Sequence, residues 1–228
     1  MRKLVLVNLA LFLSLQLTAQ KTSGTIVYKI VNIDFVDKGT NADVTNMFVT
    51  ANKQQYQLLF NKEYASFTLV DYMADESTHA FYNKMAKIYL SGFDYYYDYS
   101  NSILLEASPD GDLLEQKLKK IPWEITSESK MIDTYQCYKA TYTFEYLMRG
   151  GTMKPRVITA WFAPSLPYAF GPKNYYGLPG LILELTDRTV TFLVSEIRLS
   201  DTEIEIKIPK GRRIPKEEFE KALLNIKY

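Results

Sequence analysis

Gly177-Leu178-Pro179-Gly180-Leu181-Ile182, running on into Leu183-Glu184-Leu185, is the stretch whose reading decides the fold. Pro179 pushes Leu178 into an extended conformation. Pro179-Gly180 suits the two central positions of a type II turn, where Gly supplies a positive φ. From Leu181 onward the apolar run reads as a strand. Before the turn comes Trp161-Phe162-Ala163-Pro164-Ser165-Leu166-Pro167-Tyr168-Ala169-Phe170-Gly171-Pro172, then Lys173-Asn174-Tyr175-Tyr176. Three prolines cannot donate to a ladder, so the segment is an ordered connection and not a central strand. It is either a rigid loop packed by its own aromatics or a binding rim on a sheet scaffold, with Trp161, Tyr168, Tyr175 and Tyr176 as the rim.

Outward from this turn the dominant rhythm is period two. Ile26, Tyr28 and Ile30 alternate with Val27, Lys29 and Val31. Ile204, Ile206 and Ile208 alternate with Glu203, Glu205 and Lys207, which predicts a half-buried strand. Residues 189–197 are β-branched and aromatic. Residues 56–60 and 64–70 read as two strands joined by Asn61-Lys62-Glu63. Pro109-Asp110-Gly111-Asp112 is a turn, and Arg149-Gly150-Gly151 is a second, between strand-like runs at 138–147 and 156–162. Helical signal is thin: a short helix within 75–86 and a better one over 215–224, where Pro215 precedes Glu217 and Glu218 and Phe219, Leu223 and Leu224 share a face. The expected fold is mainly β: one curved antiparallel sheet, possibly a half-barrel, with minor helices including a C-terminal one. The loop at 161–180 would close its concave side.

The chain's start reads as an export signal. Arg2 and Lys3 precede an apolar run at 4–17, followed by Thr18, Ala19 and Gln20. That layout predicts a signal peptide over residues 1–20 and a single domain over 21–228. The run is short for a membrane span, which needs ~20 apolar residues. No Cys stands at the cleavage point, so a lipoprotein is not expected, and no later stretch reads as a membrane span. Without Arg2 and Lys3, the 27 basic residues become 25 against 26 acidic ones. Such a balance argues against nucleic acid, which needs clustered cations. The one cysteine cannot form an internal disulfide, so packing must hold the fold, with 18 Tyr and 12 Phe contributing heavily.

Several pieces, in order, resemble the GLPGLI family of secreted proteins from Bacteroidetes. They are Ile121-Pro122-Trp123-Glu124-Ile125 with Lys130 and Ile132, Tyr135-Gln136-Cys137-Tyr138-Lys139-Ala140, Trp161-Phe162, Pro167, Gly171-Pro172, and the hexapeptide Gly177, Leu178, Pro179, Gly180, Leu181, Ile182. The resemblance spans about residues 120–186. Ser165-Leu166 departs from the family's more usual acid and Ile, and the turn at 148–154 is expanded. What the resemblance implies is a secreted β-rich protein, with no established activity to carry over to particular residues.

No residue set calls for a metal, a cofactor or a named reaction. Cys137 shares a strand face with Tyr135, Lys139, Thr141 and Thr143, opposite Tyr138, Ala140, Tyr142 and Phe144. It is a small half-buried side chain, a thiol activated by Lys139, or an intermolecular disulfide partner. His79, the only His, lacks further His or Cys with ligand spacing and reads as a surface residue. Asp94, Asp98, Glu106, Asp110 and Asp112 surround Tyr95-Tyr96-Tyr97 and Tyr99, but nothing pairs two carboxylates for glycosidic chemistry. The expected function is a non-catalytic envelope protein that binds an apolar ligand, a peptide or an outer-membrane partner. The alternatives are a Cys137-dependent enzyme or redox protein and a structural component of an envelope assembly.

Overall fold

The computed structural model describes residues 21–31, 33, 41–70, 77–147 and 152–224. The signal-peptide reading and the Arg149-Gly150-Gly151 turn lie outside them. The chain is mainly β. Its strands are β1 (Ser23–Val31), β2 (Gln55–Phe60), β3 (Tyr64–Leu69), β4 (Asp94–Asp98), β5 (Ile103–Ala107), β6 (Leu113–Lys117), β7 (Glu124–Ile132), β8 (Tyr135–Leu147), β9 (Met153–Ala163), β10 (Leu181–Asp187), β11 (Val190–Ser200) and β12 (Arg213–Pro215). Three helices, α1 (Ala42–Ala51), α2 (Ser77–Leu90) and α3 (Lys216–Leu224), complete the described elements.

The strands form one open sheet in the order β12-β6-β5-β4-β3-β2-β1-β11-β10-β9-β8-β7. Two meanders, β2 to β6 and β7 to β11, flank β1. Every pairing is antiparallel except β12 with β6. The order dictates a curl. From β6 to β7 is ten strand positions, about 48 Å in a flat sheet. Lys117 and Glu124, the ends joined between them, can be separated by at most about 25 Å of chain. The two lips are therefore drawn together.

One face of this curl carries the core. Cross-strand partners run from Leu58 through Ile26 on one side and through Phe67 on the other, and Tyr56 opposes Tyr28. Tyr56 stacks on Phe67 at 5.3 Å, and Phe192 meets both edge-on. Ala140, Ala160 and Leu185 continue the same face across β8, β9 and β10, all fully buried. The small alanines bring the backbone of that region close to whatever fills the concavity.

At one end α1 and α2 pack over the sheet. Ala51, Ala86 and Leu90 join the core. Gln54 donates to the Asn83 carbonyl at 2.9 Å. The hydroxyls of Tyr89 and Thr189, in the β10–β11 turn, lie 3.3 Å apart. On the far side of α2, Phe81, Met85 and Ile88 are exposed.

Two local expectations need correcting, and one helix is new. Pro179-Gly180 does not form a type II turn: Gly180 N–H bonds to the Leu178 carbonyl at 2.8 Å, closing a three-residue turn, while Leu181 N–H reaches the Leu166 carbonyl instead. Gly180 is required by proximity, since a Cβ there would sit 2.3 Å from the Ala163 carbonyl oxygen. Residues 203–208 keep their alternation, with Ile204, Ile206 and Ile208 half-buried, but they join no ladder. They belong to an extended strap that runs past Asn61, whose amide donates to the Ile204 carbonyl at 2.9 Å, and ends where Leu113 N–H bonds to the Arg212 carbonyl. The helix α1 was not anticipated, although Val44, Met47, Phe48 and Ala51 recur at helical spacing; of these only Ala51 is buried. Its start is marked by Asn41, which accepts from Asp43 N–H.

Candidate functional site

The concave face is filled by the chain itself. Loop 164–180 leaves β9 and re-enters at β10, and its aromatics pack onto the inner face. Phe60 meets Tyr168 at 4.7 Å and Phe170 at 4.9 Å between ring centroids. Tyr97 meets Tyr176 edge-on at 5.6 Å, and Trp123 meets Tyr175 at 6.2 Å. Tyrosine hydroxyls then fasten the backbone of the plug and of the strand it enters: Tyr97 donates to the Lys173 carbonyl at 2.6 Å, and Tyr28 to the Ile182 carbonyl of β10 at 2.7 Å. Burial pushes both phenols well above their ordinary value, so they remain donors. This is one physical use of so many tyrosines, each filling core volume while satisfying a buried carbonyl.

The plug's inner end is held by charge. Lys173, at φ 58°, extends its ammonium to Asp187 Oδ2 at 2.8 Å. Arg156 bonds to Asp187 Oδ1 through Nε at 2.7 Å and also through its terminal nitrogen. Burial alone would raise the Asp187 carboxyl, but Lys173 and Arg156 together outweigh it and hold it below the ordinary carboxylate range. Burial pulls the Lys173 ammonium down, with Asp187 opposing. Arg156 thus grips one carboxylate oxygen of Asp187 while Lys173 holds the other.

A cavity of about 300 Å³ remains where the two lips approach. Tyr142 and Phe144 of β8 form one wall, and Leu104 of β5 and Gln116 of β6 form the other. Tyr175 and Tyr176 of the plug line it, and Lys119, Lys120 and Ile121 border it from the segment joining the lips. That segment is pinned: the Tyr176 hydroxyl accepts from Lys119 N–H at 2.9 Å and donates to the Lys119 carbonyl at 2.7 Å. Trp123 Nε1 donates to the Tyr176 carbonyl at 2.9 Å. A neighbouring cavity of about 660 Å³ shares Gln116, Lys117 and Lys119 with the first. Of the charged side chains that line it, Arg213 pairs with Glu115 and Lys216 with the buried Glu106, and Glu217 and Glu220 add two further acids.

The four rim candidates are not brought together. Tyr175 and Tyr176 line the lip cavity. Tyr168 lines a separate hollow of about 350 Å³ with Phe60 and Lys21, to whose carbonyl its hydroxyl donates at 3.1 Å. Trp161 faces the opposite side of the sheet, with Lys130 Nζ 4.4 Å from its ring centre and bonded at 2.7 Å to Glu184. The remaining motif residues serve the plug and its neighbours. Trp123 packs on Tyr142 and Tyr175. A Cβ on Gly171 would meet Ile182 at 2.5 Å and the Tyr175 carbonyl at 2.8 Å. Gly177 takes φ 87°, and Leu178, Leu181 and Ile182 are core. Pro167 lines the Tyr168 hollow, and the Pro172 carbonyl accepts from Tyr175 N–H. Lys139 bonds to Glu128. Cys137 has no exposed surface, and burial pushes its thiol up to about 11. It is not set up as a nucleophile at neutral pH.

The cavity walls Leu104, Gln116, Tyr142 and Phe144 were not singled out from sequence as a site, since they belong to strands that are distant along the chain. The run Lys117-Leu118-Lys119-Lys120 immediately before the Trp123 motif was the available signal. Among the described residues no group of three His, Cys, Asp or Glu is placed to hold a metal ion, and no helix is long and apolar enough to cross a membrane. His79 falls in α2 at a position whose side chain is outside the description.

Residues 123–184 match a family model described as "Protein of unknown function (Porph_ging)". The matched segment runs from Trp123, which packs on the cavity residues Tyr142 and Tyr175, through the whole plug and into β10. No curated protein matches the chain. Two crystal structures of PNGF-II, in space groups C2 and P21, are similar in fold, each with TM-score 0.53 and 11% identity over 90% of this chain. The chain spans about a third of the PNGF-II chain (33%), so the likeness places this fold within a longer protein.

Proposed function

We propose that this is an exported, non-catalytic binding protein that takes a small apolar ligand into the cavity between the sheet's two lips. One observation carries the reading: Tyr142, Phe144, Leu104, Tyr175 and Tyr176, drawn from both meanders and the plug, converge on one unfilled space. Its volume, about 300 Å³, is at the small end of the ~300–1,000 Å³ range of ligand sites, and such sites are mostly apolar with a few polar groups. Export is supported by the layout of residues 1–20. Placement in the GLPGLI family is supported by the hexapeptide 177–182, which falls inside the matched segment and anchors the plug. Cys137 is buried and is not among the residues that line this cavity.

Phenylnaphthylamine, a neutral fluorophore that brightens in apolar surroundings, tests the reading by titration. Saturable one-site binding is expected. It is lost in Leu104→Trp and in Gln116→Trp, each of which places an indole in the cavity. Absence of saturable binding, or binding that neither variant alters, would defeat the proposal.

A further inference from the structure

The cavity's border has a charge pattern that its apolar walls do not require. Lys117, Lys119 and Lys120 all line it and are exposed. None of the three ammonium groups has an ion-pair partner among the described residues. Cations elsewhere on the same edge are neutralised: Arg213 by Glu115, Lys216 by Glu106, and Arg212 by Asp112. Three adjacent unpaired cations repel one another, and a fold offsets that cost where an anion is to be received. The backbone of the middle lysine is also fixed in place, because the Tyr176 hydroxyl bonds both the N–H and the carbonyl of Lys119. Tyr176 is itself a wall of the cavity. The cationic border and the aromatic interior are thus one preorganised unit.

From this we infer that the ligand is an amphiphilic anion, its apolar part between Tyr142, Phe144 and Leu104 and its carboxylate, sulfonate or phosphate at Lys117, Lys119 and Lys120. The inference rests on the apolar-ligand reading above and adds the charge. Lysine suits this role as a mobile point charge that meets an anionic head without demanding one bidentate geometry. Tyr176 acts as a positioning residue for the border.

Anilinonaphthalene sulfonate and phenylnaphthylamine share a ring system and differ by the sulfonate, so their comparison isolates the charge. The sulfonate is expected to bind more tightly than the amine at low salt, and its advantage to shrink as ionic strength rises. In Lys117→Gln/Lys119→Gln/Lys120→Gln the sulfonate should lose on the order of tenfold in affinity, the scale of three exposed ion pairs, while the amine is unchanged. Tyr176→Phe should weaken the sulfonate selectively, by less. If the amine binds as well as the sulfonate, or the triple variant keeps the sulfonate's affinity, the anionic inference is overturned while the apolar site stands. If neither probe binds the wild-type protein, both readings fall.

Discussion

Asp187 is the residue on which the interior depends most. It is nearly inaccessible and holds two cations, one from strand β9 and one from the plug. Replacing it with Asn leaves the half-buried Arg156 and Lys173 without a counter-charge, a change expected to cost about 2–4 kcal/mol, somewhat less than breaking a fully buried pair. Chemical denaturation of Asp187→Asn at neutral pH should show that loss. A midpoint within experimental error of the wild type would show that the triad is not holding the plug. The same carboxylate sets an acid limit. Its folded-state value lies below the ordinary one, so its contribution is fully present above about pH 4, the unfolded carboxylate range, and is lost as pH falls through the folded value. The wild type should therefore lose stability more steeply than Asp187→Asn between pH 4 and more acidic conditions, as measured by denaturation midpoints; equal slopes would contradict the assignment.

Among the elements, the plug is the one whose conformation depends most on a glycine. Gly180 lies so close to the Ala163 and Pro164 backbone that a methyl group cannot be fitted without moving the chain. Gly180→Ala should destabilise the protein by on the order of 1–3 kcal/mol, the scale of local backbone strain, and thermal unfolding measures it; an unchanged midpoint would mean the turn relaxes freely. The plug's existence was legible from sequence, because three prolines and the hexapeptide mark an ordered connection ending in a strand. Its turn type was not, since the bond that replaces the expected one goes to Leu166, a partner supplied by the returning loop. The segment 203–208 failed for a related reason. Alternation reports one wet face and one dry face, and a strap lying against the sheet has both without pairing to anything. Strand pairs joined by short turns, such as β2 with β3, were readable because the turn residues fix the partner locally.

Over the whole molecule, two short facts combine into a shape. Strand order separates β6 from β7 by most of the sheet, and the few residues between Lys117 and Glu124 bring them back together. Neither fact is visible in local sequence patterns, which is why curvature was anticipated but the lips and the cavity between them were not. The aromatic rim read from the sequence divides among three places because adjacent plug residues point to different neighbours, whereas the walls of the cavity come from β5, β6 and β8. Lys117, Lys119 and Lys120 were in plain view, yet a charge run acquires meaning only when an aromatic space opens behind it. The exposed apolar residues of α2, Phe81, Met85 and Ile88, offer a competing place for an apolar probe to adhere. Amide chemical shifts followed during titration with phenylnaphthylamine separate the two. The account predicts saturable shifts centred on Leu104, Gln116, Tyr142, Phe144 and Tyr176; shifts confined to α2, or none at all, would contradict it.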